Sequence, residues 1–350
     1  MLEYINVRLL FVINSLKNKS GTERVAIELA NKLSLMANYD VTLLNRESNK
    51  SNTAYPVSDN VNVVAISGNF FEFYKKLKIH LSLHSYNIVI VHNMGKLSLL
   101  CALLPKIKKL VTLEHVSFVS RPKKVQILSK FFYKWVDQVV TLTQKDKEQF
   151  DKFHSKVIVI PNFSPFPIVS ESPLSSKQIV TIGRLTDQKN YLHLLKAWKK
   201  IYQMIPEWHL NIYGEGEHKK MLQDYIEENS LQRVILKGST SNVQEVYRQS
   251  DFFVMSSKYE GLPMVLVEAQ SCGLPIVSYD CPFGPSDVIQ NHKNGLLVEN
   301  QNIEALADAI LQLASSPDML AQFSQNSLIN AKKYQPEQIL KVWIEKVLEG

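Results

Sequence analysis

Short apolar runs, nearly continuous and of strand length, alternate along this chain with polar loops and helical patterns. Arg8-Leu-Leu-Phe-Val-Ile13 is followed by a polar loop from Asn14 to Gly21. A helical pattern comes next, with Val25, Leu29 and Leu33 at i, i+4 and i+8 beside Ala26 and Ala30, and then a second run, Val41-Thr-Leu-Leu44. Strand, helix and strand in that order form a βαβ unit, which calls for parallel pairing with the helix packed on the sheet. Runs without polar alternation predict strands covered on both faces, as in a parallel sheet.

The rhythm continues through Asn87-Ile-Val-Ile-Val91, Leu110-Val-Thr-Leu113, Asp137-Gln-Val-Val-Thr-Leu142 and Lys156-Val-Ile-Val-Ile160. Pro161-Asn-Phe-Ser-Pro-Phe-Pro167 and the proline-containing Ser170–Ser176 interrupt it, which predicts an interdomain linker. Strand runs then resume at Ile179–Ile182, His209–Tyr213, Val234–Leu236, Asp251–Met255 and Pro275–Ser278, with a helix expected over 192–204. The expectation is an α/β chain of two doubly wound, Rossmann-like domains, residues 1–167 and 168–335.

Bulk properties narrow the function. At 350 residues, 45% hydrophobic and 21% charged, the chain has the size and composition of a two-domain globular protein. It holds no uncharged apolar run of 18 residues, and its first residues lack the pattern of a cleaved signal peptide. Three cysteines, Cys101, Cys272 and Cys281, lack metal-ligand spacing and suit a reducing compartment. Charge divides unevenly: residues 1–167 hold 23 Lys and Arg against 12 Asp and Glu, a net +11, and residues 168–350 hold 17 against 21, a net −4. A basic front half suits an anionic partner, and Phe70–Ile79 and Arg121–Trp135 mix aromatic residues with cations, with Lys106, Lys108 and Lys109 between them. The expected partner is an anionic membrane surface rather than nucleic acid, because no recognition motif accompanies the cations. The expected location is cytoplasmic, at the inner face of the cell membrane.

Three segments carry chemistry. Gly183-Arg-Leu-Thr-Asp-Gln-Lys-Asn190 links a strand to a helix, and its two cations beside a helix mouth suit a diphosphate. Tyr213-Gly-Glu-Gly-Glu217 follows the next strand; its glycines allow either a plain turn or a close backbone approach to a ligand. In Ser256-Ser-Lys-Tyr-Glu-Gly-Leu-Pro-Met-Val-Leu-Val-Glu-Ala269, Pro263 is expected at the first helical position. Glu260 then lies at the helix mouth and Glu268 about a turn and a half inside. Carboxylates so near a diphosphate have neutral hydroxyls as their favourable partners.

Glu260 and Glu268 within Glu-Gly-Leu-Pro-x-x-x-x-Glu-Ala resemble the paired-glutamate motif of retaining glycosyltransferase family 4. Gly183-Arg184-x-x-x-x-Lys189-Asn190, Gly214-x-Gly216, Gly273-Leu-Pro275 and Asn294-Gly-Leu-Leu297 fall in that family's order, and the resemblance spans essentially the whole chain. It implies the GT-B fold, two Rossmann-like domains facing a cleft, with a last helix (residues 336–350) packing back on the first. It also implies that a hexose or N-acetylhexosamine passes from a nucleotide-sugar, a UDP-sugar, to a hydroxyl of a growing lipid-linked, lipopolysaccharide or capsule-type glycan of bacterial surfaces. By the same resemblance Arg184 and Lys189 neutralise the departing diphosphate, Glu268 holds ribose hydroxyls and Glu260 hydroxyls of the sugar. Gly183, Gly214, Gly216, Gly261, Leu262, Pro263 and the amides of Met264, Val265 and Leu266 surround the donor, with Gly238 near the base. In the front domain Ser20-Gly21-Thr-Glu-Arg24 resembles the family's glycine-rich loop, with Ser20 in place of its first glycine, and His115 matches its cleft histidine.

No Asp-x-Asp occurs and no metal-ligand cluster is evident, so no cofactor is expected and leaving-group charge falls to cations and a helix end. An NAD-dependent oxidoreductase would need Gly-x-Gly-x-x-Gly at the first strand–helix turn, where residues 14–23 hold a single glycine. A nucleotide-sugar epimerase of the same architecture and a non-catalytic nucleotide-sugar-binding protein are the competing readings.

Overall fold

The computed structural model describes residues 7–18, 21–47, 52–93, 95–104, 107–169 and 174–350. Ser20 of the front loop and Lys106 of the basic segment lie outside the described residues. The chain divides into two compact units, Met1–Asn162 with Leu340–Gly350, and Phe163–Ile339, so the boundary falls inside the proline-rich stretch.

The first unit runs β1 (Val7–Val12), α1 (Gly21–Ser34), β2 (Tyr39–Asn45), β3 (Val61–Ala65), α2 (Phe70–Leu83), β4 (Ile88–Asn93), α3 (Lys96–Ala102) and β5 (Leu110–Glu114). It continues with α4 (Lys123–Phe132), β6 (Gln138–Thr141), α5 (Gln144–Phe150) and β7 (Val157–Val159). Its sheet is parallel in the order β3-β2-β1-β4-β5-β6-β7. The continuous apolar runs are explained by burial on both faces: Leu9 to Val12 and Ile90 to Val91 are wholly inaccessible. Helix α1 buries the stripe Val25, Ala26, Leu29, Ala30 and Leu33 that its periodicity marks. Helix α2 opens on a capping box, Asn69 accepting from the Glu72 amide while Glu72 accepts from the Asn69 amide.

The second unit runs β8 (Gln178–Ile182), α6 (Tyr191–Ile201), β9 (His209–Tyr213), α7 (Lys219–Glu228), β10 (Val234–Gly238), α8 (Val243–Arg248), β11 (Phe252–Met255) and α9 (Met264–Ser271). Then follow β12 (Ile276–Tyr279), α10 (Pro285–Val288), β13 (Gly295–Val298), α11 (Ile303–Ala314) and α12 (Pro317–Ala331), and α13 (Pro336–Trp343) begins in this unit and passes at Leu340 into the first. The sheet is again parallel, in the order β10-β9-β8-β11-β12-β13. Its core joins the inner faces of α6, α7 and α11 around the fully buried Trp198. Both units are Rossmann-like. In each, the order reverses where two strands diverge, between β1 and β4 and between β8 and β11, and the carboxyl end of such a switch point is where open α/β sheets hold ligands.

Two strands escaped the sequence reading. β3 is an edge strand whose Asn62 and Ala65 are exposed, so its apolar run is broken. β13 (Gly295–Val298) is an edge strand of the second sheet, and its sequence overlaps the Asn294–Leu297 motif. Helix α6 ends at Ile201, earlier than the periodicity suggested. Pro263 is the cap residue before α9 and not its first helical residue.

Candidate active site

Loop Gly183–Asn190 leaves the end of β8, and loop Ser256–Pro263 leaves the end of β11. The two therefore flank the switch point of the second sheet and are laced together. The Lys258 amide donates to Gln188 O at 2.9 Å, Ser256 Oγ to Lys189 O at 2.9 Å, and Gln188 Nε2 to Tyr259 O at 3.0 Å. At their centre Lys189 Nζ lies 2.6 Å from Glu260 Oε1, with both side chains largely shielded from water. The structure thus joins the residue matched to the diphosphate with the residue matched to the sugar. An ammonium has three N–H donors, so Lys189 can hold Glu260 and still offer hydrogens to a phosphate oxygen. Arg184 is exposed on the same loop and forms no ion pair among the described residues.

The glycines are explained by crowding. A Cβ on Gly183 would stand 2.8 Å from Tyr191 Oη and 3.3 Å from Lys189 Cε, so the missing side chain makes room for the Lys189 stem. Gly214 has φ +146° and a Cβ there would meet Gly183 O at 1.9 Å; a Cβ on Gly216 would meet Leu185 O at 2.4 Å. These two glycines therefore serve first as the seat of the Gly183–Leu185 backbone, which bonds from the Leu185 amide to Glu215 O at 2.9 Å. A cleft of about 420 Å³ opens beside them, lined by Ile182, Arg184, Tyr213, Glu215, Thr240 and Val243. Gly238 closes β10 at φ +73° and accepts from the Gly214 amide at 2.8 Å.

Helix α9 brings the remaining matched residues to the end of β11. Leu262, Pro263 and Leu266 are buried, so toward a ligand only their backbone is available. The Leu266 amide donates to Pro263 O at 3.0 Å, which leaves Met264 and Val265 to supply first-turn amides. Glu268 is buried and accepts from Tyr247 Oη, on α8, at 3.3 Å. Gly284 at φ +95° packs so tightly on this loop that a Cβ would reach Gly261 O at 2.1 Å. Cys281 sits close enough to feel both Glu260 and Lys189; burial first, then the Glu260 carboxylate, pushes its thiol up to about 12, so it stays protonated. Among the described residues no three His, Cys, Asp or Glu side chains are grouped to hold a metal ion.

The first unit offers its own carboxyl edge. Gly21 begins α1, and a Cβ there would meet nothing within 4 Å among the described residues. His115 follows β5 and is half-buried beside His92 of β4, a residue the sequence reading missed. The signal for it was a lone polar ring closing the apolar run 88–91. The loop after His115 is anchored from below. Glu114, wholly buried, pairs with the buried Arg121 guanidinium and accepts from Tyr133 Oη at 2.7 Å, while Asp146 accepts from the Phe118 amide at 2.8 Å. Arg121 thus leaves the basic surface to which its sequence neighbours assigned it. Lys109, half-buried, donates its Nζ to Val347 O at 2.7 Å and Gly350 O at 2.6 Å. Tyr247, the partner of Glu268, had no sequence signal beyond an aromatic in a helix.

Residues 165–328 match the family model described as glycosyl transferases group 1, and residues 19–163 the model described as glycosyltransferase family 4. The amylovoran biosynthesis glycosyltransferase AmsD of Erwinia amylovora is 34% identical, with 96% of this chain and 98% of that one covered. The poly(ribitol-phosphate) alpha-N-acetylglucosaminyltransferase of Staphylococcus aureus is 32% identical over 60% of this chain and 43% of its own. The fold is similar to that of Anabaena HepE in complex with UDP, with TM-score 0.83 at 18% identity over 98% of this chain and 100% of that one. Two adjoining family models and a relative aligned along nearly its full length leave one conclusion: the chain belongs to the group 1 glycosyltransferases, has the GT-B fold and is a glycosyltransferase.

Proposed function

We propose that the chain transfers a hexose or N-acetylhexosamine from a UDP-sugar to a hydroxyl of a growing, lipid-linked bacterial glycan, with retention of anomeric configuration and without a metal ion. The observation that carries this reading is the convergence of Arg184, Lys189, Glu260 and the first turn of α9 on the switch point between β8 and β11. Cleaving the sugar–phosphate bond places negative charge on the departing diphosphate. Arg184, the free hydrogens of Lys189 and the α9 amides take up that charge, Lys189 and the amides from positions fixed before the donor binds. Glu260, already paired with Lys189, keeps an oxygen for a sugar hydroxyl, and Glu268 accepts from ribose. The UDP in HepE and the alpha linkage in the staphylococcal enzyme's name support donor and stereochemistry in turn, and the poly(ribitol-phosphate) in that same name supports a polymeric acceptor. A thermal-shift panel of UDP-, GDP- and ADP-sugars in EDTA tests it. The largest Tm rise is expected from a UDP-sugar; a larger rise with a GDP-sugar than with every UDP-sugar would sink the donor assignment.

The first unit presents a surface suited to the membrane in which such an acceptor is anchored. On α4 and just beyond it, Ile127 (68% exposed), Phe131 (56%) and Trp135 (47%) stand out among Lys123, Lys124, Lys130 and Lys134. The Lys134 ammonium lies 4.2 Å from the Phe131 ring centre and 4.3 Å from that of Trp135. On α2, Phe70 and Phe71 are exposed beside Lys75, while Phe73 and Leu77 are core. Each cation near an anionic leaflet is worth about 1 kcal/mol, and the rings add interfacial burial. No helix among the described residues is long and apolar enough to cross a membrane. Sedimentation with vesicles should show binding that needs anionic lipid and weakens with salt. Equal partition onto neutral and anionic vesicles, or none, would favour a soluble acceptor.

A further inference from the structure

His92 and His115 close neighbouring strand ends in the first unit, and their rings form one unit. His92 Nδ1 and His115 Nε2 are 3.2 Å apart with the ring planes 24° from parallel. On its other side His92 stacks on Phe11 at 5.2 Å, and only 1% of it is exposed. Burial holds both imidazoles neutral: His92 falls well below the usual histidine range and His115 down to about 3. One proton therefore lies between the two nitrogens, and one ring donates while the other accepts.

The second nitrogen of His92 decides which. Among the described residues His92 Nε2 is buried and has no partner. If His115 were the donor, His92 would carry its own proton on Nε2, stranding an N–H in the core. If His92 donates from Nδ1, Nε2 is only a bare acceptor. Orphaned buried N–H groups are rarer than under-satisfied acceptors, so the second arrangement is favoured. His115 then accepts at Nε2 and carries its proton on Nδ1, which bonds nothing else among the described residues.

We infer that His92 is a positioning residue of the transfer reaction, holding His115 as the Nδ1–H tautomer so that His115 meets the substrate as a hydrogen-bond donor to a sugar oxygen and not as a base. This rests on the reading that His115 faces the reacting sugar, and the test separates the two. Long-range ¹H–¹⁵N spectra of the full chain, labelled at histidine, report the tautomer without reference to activity. The expected spectrum shows His115 protonated at Nδ1 and unprotonated at Nε2; protonation at Nε2 overturns the inference. In His92→Leu the tautomer preference is lost, and kcat for the UDP-sugar that best stabilises the protein falls about tenfold, the worth of one hydrogen bond, with KM little changed. His92→Asn can place an amide N–H where Nδ1 stood and is expected to recover most of the loss. A His92→Leu protein that keeps wild-type Tm and kcat overturns the positioning role. Unchanged turnover in His115→Ala removes His115 from the sugar, and the positioning role with it, even where the tautomer is as expected.

Discussion

Lys189 and Glu260 are central to the proposed reaction, and their contact changes how each is understood. Alone, a lysine on a loop and a glutamate at a helix mouth are ordinary surface residues. At 2.6 Å and largely shielded, each fixes the other's geometry ahead of the donor. Lys189→Ala and Glu268→Ala are each expected to lower kcat/KM at least ~100-fold, about 3 kcal/mol of transition-state stabilisation. Near-wild-type turnover in a folded variant would take that residue out of the site. The sequence could assign Arg184, Lys189 and Glu260 to loops after strands and Glu268 to the helix that follows, because strand ends and glycine-proline turns are local features. It could not show that Lys189 pairs with Glu260, or that Tyr247 caps Glu268, because these partners are 71 and 21 residues apart in the chain.

At the scale of elements, the loop after β5 shows how a site is supported from beneath. Glu114, Arg121, Tyr133 and Asp146 are all buried and tie α4 and α5 to the strand that carries His115. In the sequence Arg121 reads as one more cation in a basic segment, since burial depends on how α4 folds over the sheet. Asp146 is the strained member: burial pushes its carboxyl up to about 6, with Glu114 adding to the rise, against the Phe118 amide and Arg121, which oppose it. A carboxyl with a raised folded-state pKa binds its proton more tightly when folded. Its contribution is therefore full below the unfolded value near 4 and is lost as pH rises to about 6, about 3 kcal/mol over that window. Asp146→Asn keeps the acceptor for the Phe118 amide and removes the ionisation. The variant is expected to lose the part of the wild-type fall in Tm between pH 4 and 6.5 that belongs to Asp146; identical Tm profiles would place the titration elsewhere. The parallel strands themselves were legible because apolar runs buried on both faces leave a continuous signal. The edge strands β3 and β13 were not singled out, since an edge can be short and partly polar.

For the whole molecule, two Rossmann-like units carry opposite charge balance, and it is the basic one that is proposed to face an anchored glycan. The alternation of strands and helices carried the fold class, and the family resemblance carried the reaction; the count of basic residues in the front half includes Arg121, which is buried against Glu114 and serves the interior. The central claim is retaining transfer from a UDP-sugar. The most direct test is ¹H NMR of the sugar released or transferred from each member of a panel of UDP- and GDP-α-sugars in EDTA, observed before mutarotation. Turnover of a UDP-sugar is expected, with the α-anomer appearing first, and its loss in Lys189→Ala. A β-anomer as the first product, or turnover only of a GDP-sugar or only with added divalent metal, would contradict it.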